Sequence, residues 1–151
     1  MYVSEVVIRE IEQTPDANQK ECLLNVIAEY DLRVLPLTDE ANNLAHLYLA
    51  ERILPEKKLD YARHIALTTV NQIGILLSWN FKHLANINKQ LAVKVINERA
   101  GYFYPMLLTN HMEVLYEIEM LRHVFKATQQ VTLQRHVKQV FLWGLIGCKL
   151  W

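Results

Sequence analysis

The segment ILLSWNFKHLAN, residues 75–86, gathers residue types that can do chemistry. Its apolar run, 75–77, reads as a short buried strand. The run breaks off into Ser78, Trp79 and Asn80, and a helix-like stretch with Lys82 and His83 follows. A strand that ends in polar side chains and turns into a helix is a common binding-site corner, because parallel strands open a crevice at their carboxyl ends. Lys82, His83 and Lys89, with Arg63 from an earlier helix, can form a local edge of phosphate contacts, and Trp79 can stack on a base. The same residues also fit plainer roles: solvated cations, a tryptophan packed at the rim of the core, and an asparagine suited to a tight corner. Two helix carboxylates are further candidates. By spacing alone Glu10 is a solvent-facing acid, and Asp60 is a helix N-terminal acid favoured by the dipole. His64 lies one turn beyond Asp60, within reach of a hydrogen bond to it.

The elements that must position these residues follow from periodicity. SEVVIREIEQ, 4–13, carries Val6, Val7, Glu10 and Ile11 at helical spacing behind an N-cap at Ser4, and TPD at 14–16 ends it. A second helix is expected from Ala17 to Tyr30. LRVLPLT, 32–38, reads as a short strand whose Pro36 suits an edge. Thr38, with Asp39 and Glu40 in the first turn, opens a third helix. EKKLDYARHIALTTVNQIG, 56–74, is amphipathic, with Ala62, Ile65, Ala66 and Thr69 on one face and Gly74 as its stop. After strand 75–77 come a short helix near 81–86, a helix over 88–101, and a strand in FYPMLL. From Thr109 the chain reads as mostly helical. Helices alternating with short apolar strands predict an α/β fold with a largely parallel sheet.

Composition narrows the functional classes. The chain has 151 residues, a hydrophobic fraction of 52% and a formal net charge of zero. That suits one folded domain and offers no bulk basic field for nucleic acid, so any such contact needs a local patch. Cys22 and Cys148 form no metal or redox motif, and a reduced, cytoplasmic protein is expected. Glu5, Arg9, Glu10 and Glu12 interrupt any signal-peptide core. VFLWGLIGCKLW, 140–151, is the most apolar run and is too short to span a bilayer comfortably. It reads as a buried or interfacial helix, so no membrane partner is expected.

VVIREIEQTPD, LRVLPLT, PEKKLDYARHIALTTVNQIGILLSWNFKHLANIN and VKVIN together resemble a PIN-domain protein of the branch with an S-W-N-F-K-H segment. The ordered pair DYARHIA then LLSWNFKHL is the most specific part. The resemblance covers roughly residues 2–117 and leaves 118–151 as a helical tail. It implies a PIN-like three-layer fold with a short, mostly parallel sheet flanked by helices. It also implies a metal-dependent ribonuclease of the kind found as toxins of toxin–antitoxin systems, with Mg²⁺ or Mn²⁺ held by clustered acids. RNA, an antitoxin-type protein and a second copy of the chain are the partners it implies.

Carried over residue by residue, the family's helix-borne glutamate falls on Glu10. One acid falls on Tyr61, with Asp60 a residue earlier, and the acid that ends the strand falls on Asn80. Glu10 and Asp60 would hold the metal, and Asn80 would support it with a neutral carbonyl. Lys82, His83 and Arg63 would hold substrate. The family's first acid belongs to an interior strand that would precede Met1. Strands 32–37 and 75–77 then need another partner, expected from the tail or a second copy, or must pair with each other. The charge lost at Tyr61 and Asn80 implies weakened metal binding and cleavage. The alternative is a non-catalytic PIN-like interaction module.

Overall fold

The computed structural model describes residues 1–78, 87–109 and 140–143. In chain order the elements are β1 (Tyr2–Ser4), α1 (Glu5–Glu12), α2 (Ala17–Glu29), β2 (Arg33–Leu35), α3 (Asp39–Ala50), α4 (Leu59–Val70), β3 (Ile75–Ser78), α5 (Ile87–Arg99), β4 (Leu107–Thr109) and β5 (Val140–Trp143). The strands form one sheet in the order β2-β1-β5-β3-β4. Every pairing is parallel: Val3 faces Val34 on one side and Leu142 on the other, and Leu76 faces Leu108 and Phe141. The α/β class with a short parallel sheet expected from the alternation is therefore observed.

The tail differs from its expectation. Residues 140–143, read from sequence as part of an apolar helix, are a strand inserted between β1 and β3. A run of apolar residues is ambiguous between a buried helix and a buried strand. Here the open ladders of β1 and β3 decide, since buried backbone donors and acceptors must be paired. Of the two strands expected to need a partner, 75–77 takes one from the tail, whereas the strand at 33–35 pairs with β1. Residues 2–4 also form a strand that periodicity did not flag, because three residues are too few to show an alternation.

Helix starts follow the sequence closely. Ser4, Asp16 and Thr38 each cap a helix with a side-chain oxygen, accepting from Val7 N–H, from Asn18 and Gln19 N–H, and from Ala41 N–H. The helix ends share a device that the sequence hid. Asp31, Arg52, Gln72 and Gly101 take left-handed φ angles of 46°, 57°, 53° and 89°. The next residue in each case, Leu32, Ile53, Ile73 or Tyr102, returns its N–H to a carbonyl in the last turn. This is the Schellman arrangement, in which an apolar residue after the left-handed one folds back on the helix. Glycine fills the position only once. Gly74 thus is not the stop of the fourth helix: α4 ends at Val70, and Gln72 makes the turn.

The core joins β1, α1, α3, α4, β3 and α5 through Val3, Val7, Ile11, Tyr48, Ile65, Leu76 and Val93, all almost wholly shielded from solvent. Burying each such side chain contributes about 1.5–3 kcal/mol. A polar network crosses this core. Tyr48 donates to Asn97 Oδ1 at 2.5 Å, and Asn97 Nδ2 donates to Thr69 Oγ1 at 3.1 Å. Thr69 in turn donates to the Ile65 carbonyl at 3.0 Å. One side chain from each of α3, α4 and α5 is thereby locked in register.

Candidate functional site

Helix α4 is the element on which the candidate residues converge. It is entered through a 3-10 turn, Glu56–Lys58, and Lys58 precedes it with φ −110° and no side-chain cap. Asp60 and Tyr61 follow in its first turn. Adjacent helical residues point about 100° apart, so these two face different surroundings. Tyr61, on which the resemblance puts an acid, is 6% exposed and packs in the core. Burial pushes its hydroxyl above the usual phenol range. Asp60 faces out, with a side chain 57% exposed.

Glu10 sits in the second half of α1, which packs against α4. It is half-buried. Burial raises its carboxyl above the ordinary value, and the negative charge of Asp60 raises it further. The two acids singled out from sequence are thus electrostatic neighbours, although they lie on different helices.

Asp60 is not free of other partners. Arg63 donates through Nη1 to Asp60 Oδ1 at 2.8 Å and through Nε to Asn42 Oδ1 at 3.0 Å. The guanidinium expected to hold substrate is engaged with the carboxylate expected to hold metal. Asn80, Lys82, His83, Trp79 and the helix near 81–86 lie outside the described residues.

His64 does not pair with Asp60, as the one-turn spacing suggested. It points the other way, and its Nδ1 lies 3.0 Å from Ser4 Oγ at the end of β1. Ser4 also accepts the Val7 N–H at 3.1 Å. Both residues are fully buried. Burial drives the imidazole's proton affinity well below its ordinary value and keeps it neutral. A serine–histidine pair can generate a nucleophile, but this one has no solvent-facing atom for a substrate to meet. It ties the end of β1 to α4. No local signal joins positions 4 and 64, so reading the sequence could not find it.

A hard divalent cation takes oxygen donors, and Mg²⁺ is commonly held by one or two carboxylates while keeping several waters. Glu10 and Asp60 are a donor pair of that kind. Among the described residues, no group of three or more His, Cys, Asp or Glu side chains is arranged to hold a metal. No helix among them is long and apolar enough to cross a membrane.

Comparison with known proteins finds no family model, no curated protein and no solved structure that matches the chain.

Proposed function

We propose that the chain is a PIN-like, Mg²⁺- or Mn²⁺-dependent ribonuclease with a weakened site, built on a three-layer fold. The observation that carries this reading is the half-buried carboxyl of Glu10, raised by burial first and further by the negative charge of Asp60. Two carboxylates drawn together, one of them half-buried, repel each other, and a divalent cation relieves that repulsion. The interior position of β5 is in keeping with it, since the family resemblance calls for a strand inside the sheet.

Glu10 and Asp60 would hold the ion, which when bound supplies Lewis acidity and an activated water for attack on a phosphodiester. The chain's own residues set how well this works. Glu10 contributes a carboxylate whose charge is poorly solvated and therefore ready for a cation. Asp60 must give up part of its Arg63 contact to do the same. Tyr61 supplies no acid, and the pair Glu10–Asp60 brings fewer charges than a three- or four-acid cluster. Weak affinity and slow turnover follow.

The test is Mn²⁺ titration by calorimetry on the wild type and on Glu10→Gln, followed by an RNA cleavage assay. Saturable binding that the substitution removes supports the reading. Absence of binding at millimolar metal rejects it.

One observation favours the module reading instead. Ile87, Leu91 and Val95 form an exposed apolar row on α5, and Phe103 beside its end is 78% exposed. Soluble monomers rarely leave such rows uncovered. RNA cleavage absent in the wild type, together with self-association lost in Leu91→Glu, would favour it.

A further inference from the structure

A second feature flanks the first turn of α4, beside Tyr61. Leu54, Pro55, Lys57, Lys58, Tyr61 and Lys89 line a cleft of about 410 Å³. Three of the six described residues that line it are lysines, and they come from two separate places: Lys57 and Lys58 from the 3-10 turn before α4, Lys89 from the first turn of α5. Lys58 and Lys89 are half-buried. The described ion pairs are Arg9–Glu5, Arg63–Asp60 and Lys94–Glu98, so among the described residues none of the three lysines is matched by a carboxylate.

Gathering three lysines along one cleft with Leu54, Pro55 and Tyr61 has a cost. Like charges repel, and low-dielectric walls strengthen the field they produce. The first-turn residue Tyr61 places the positive end of the α4 dipole at the same corner, which adds to the potential. Nothing in the packing of the core requires lysine at these positions. The arrangement makes sense for an anion that enters the cleft and neutralises it. Lysine offers a compact charge with three donors that can turn toward phosphate oxygens.

We infer that this cleft, formed by Lys57, Lys58 and Lys89 around Tyr61, binds a backbone phosphate of single-stranded RNA. The identity of the polyanion rests on the ribonuclease reading; the cleft itself does not. Asp60 and Tyr61 are consecutive, so the carboxylate pair and the lysine cleft lie on adjoining sides of one helical turn. One strand can therefore cross both, with one phosphate held by the lysines and a neighbouring one at the acids. Lys89, a member of the phosphate edge expected with Lys82, His83 and Arg63, lines this cleft with Lys57 and Lys58; Lys82 and His83 lie outside the described residues.

The experiment measures binding of a short fluorescein-labelled single-stranded RNA by anisotropy in EDTA, across a salt series. The proteins are the wild type, Lys57→Ala/Lys58→Ala/Lys89→Ala, Lys89→Ala alone, and Lys20→Ala as a remote control. Each phosphate neutralised on a single strand contributes about 0.7 to the slope of log affinity against log salt. The triple substitution should flatten that slope by about 0.7, the share of the one phosphate the lysines hold together, and weaken binding at least about tenfold at low salt, and Lys89→Ala should flatten it by less. The single variant keeps the test valid if the triple variant does not fold. Unchanged slopes in the folded variants, or loss as large in Lys20→Ala, would overturn the inference. So would polyglutamate binding as tightly as RNA with the same lysine dependence, which would point to an acidic protein. Lysine-dependent RNA binding without Mn²⁺ uptake would leave the cleft standing and remove the catalytic reading. Mn²⁺ uptake with lysine-independent RNA binding would do the reverse.

Discussion

At the C-terminal end of α4, Thr69 is buried with each of its polar contacts arranged: Asn97 donates to it, it donates to the Ile65 carbonyl, and Tyr48 closes the triangle. At the N-terminal end, Asp60 is exposed, held by a single arginine, and close enough to the half-buried Glu10 to raise its proton affinity. The first set contains only neutral groups that satisfy one another. The second contains two like charges and, a residue further on, a cleft with three unmatched cations. Polar atoms that satisfy each other belong to the structure. Charges that leave each other unsatisfied are held at a cost that the fold itself does not explain, and such places are candidates for function.

The largest expected effect lies at the satisfied end. Asn97→Leu removes the acceptor of Tyr48 and a donor to Thr69 and leaves two buried hydroxyls short of partners. We expect a loss of about 2–3 kcal/mol in urea unfolding. Adding Tyr48→Phe should recover part of that loss, because removing both members of a pair costs less than removing one. If Asn97→Leu alone were neutral, the network would not be what holds α3, α4 and α5 together, and the contrast between the two ends would collapse.

Next in size is the acid response of the Ser4–His64 pair, midway along the same helix. The imidazole's proton affinity is lowered in the folded state by burial, whereas in the unfolded chain it titrates near its ordinary value of about 6.5. The unfolded state therefore binds the proton more readily. Stability is complete above the unfolded value and falls as the pH drops below it, by at most about 1.4 kcal/mol per pH unit for one proton. Unfolding of wild type and His64→Gln across that window checks this. A slope that persists undiminished in the variant would assign the acid response to another group.

The parts of this molecule that were legible in sequence are those specified by neighbours. Ser4 and Thr38 announce helix starts because a cap and the amides it meets lie within three residues of each other. The strand at 75–77 was legible because its apolar run is bounded on both sides. What was hidden depends on contacts between distant positions. The insertion of Val140–Trp143 is set by two half-open ladders that do not exist until β1 and β3 have formed. The helix stops at Asp31, Arg52 and Gln72 lack the expected glycine, and only the apolar residue that follows each hints at the turn. At the site, Glu10 and Asp60 were named on resemblance, and the structure brings them within electrostatic reach. His64 was paired with the wrong neighbour because one-turn spacing says nothing of a serine on another strand. Lys57 and Lys58 carry no local signal that joins them to Lys89, since the cleft they share exists only in three dimensions.

The smallest expected effect tests the unsatisfied end most directly. Glu10 has a raised proton affinity in the folded state, so its ionised form opposes folding. Replacing it with an isosteric neutral group, Glu10→Gln, should stabilise the protein at neutral pH by under about 1 kcal/mol, the partial exposure of the site keeping the gain small. The sign can be checked by lowering the pH. A carboxyl whose affinity is raised on folding takes up its proton first in the folded state, so the advantage of the glutamine should shrink and vanish as the wild type protonates. Mn²⁺ should then reverse the ranking, because an ion that binds only the folded wild type adds stability in proportion to its occupancy. A glutamine variant that is less stable than wild type at neutral pH, with or without metal, would make Glu10 a structural carboxylate like any other helix acid. A variant that is more stable without metal and indifferent to it would identify the pair Glu10–Asp60 as charges the fold tolerates for the sake of a cation.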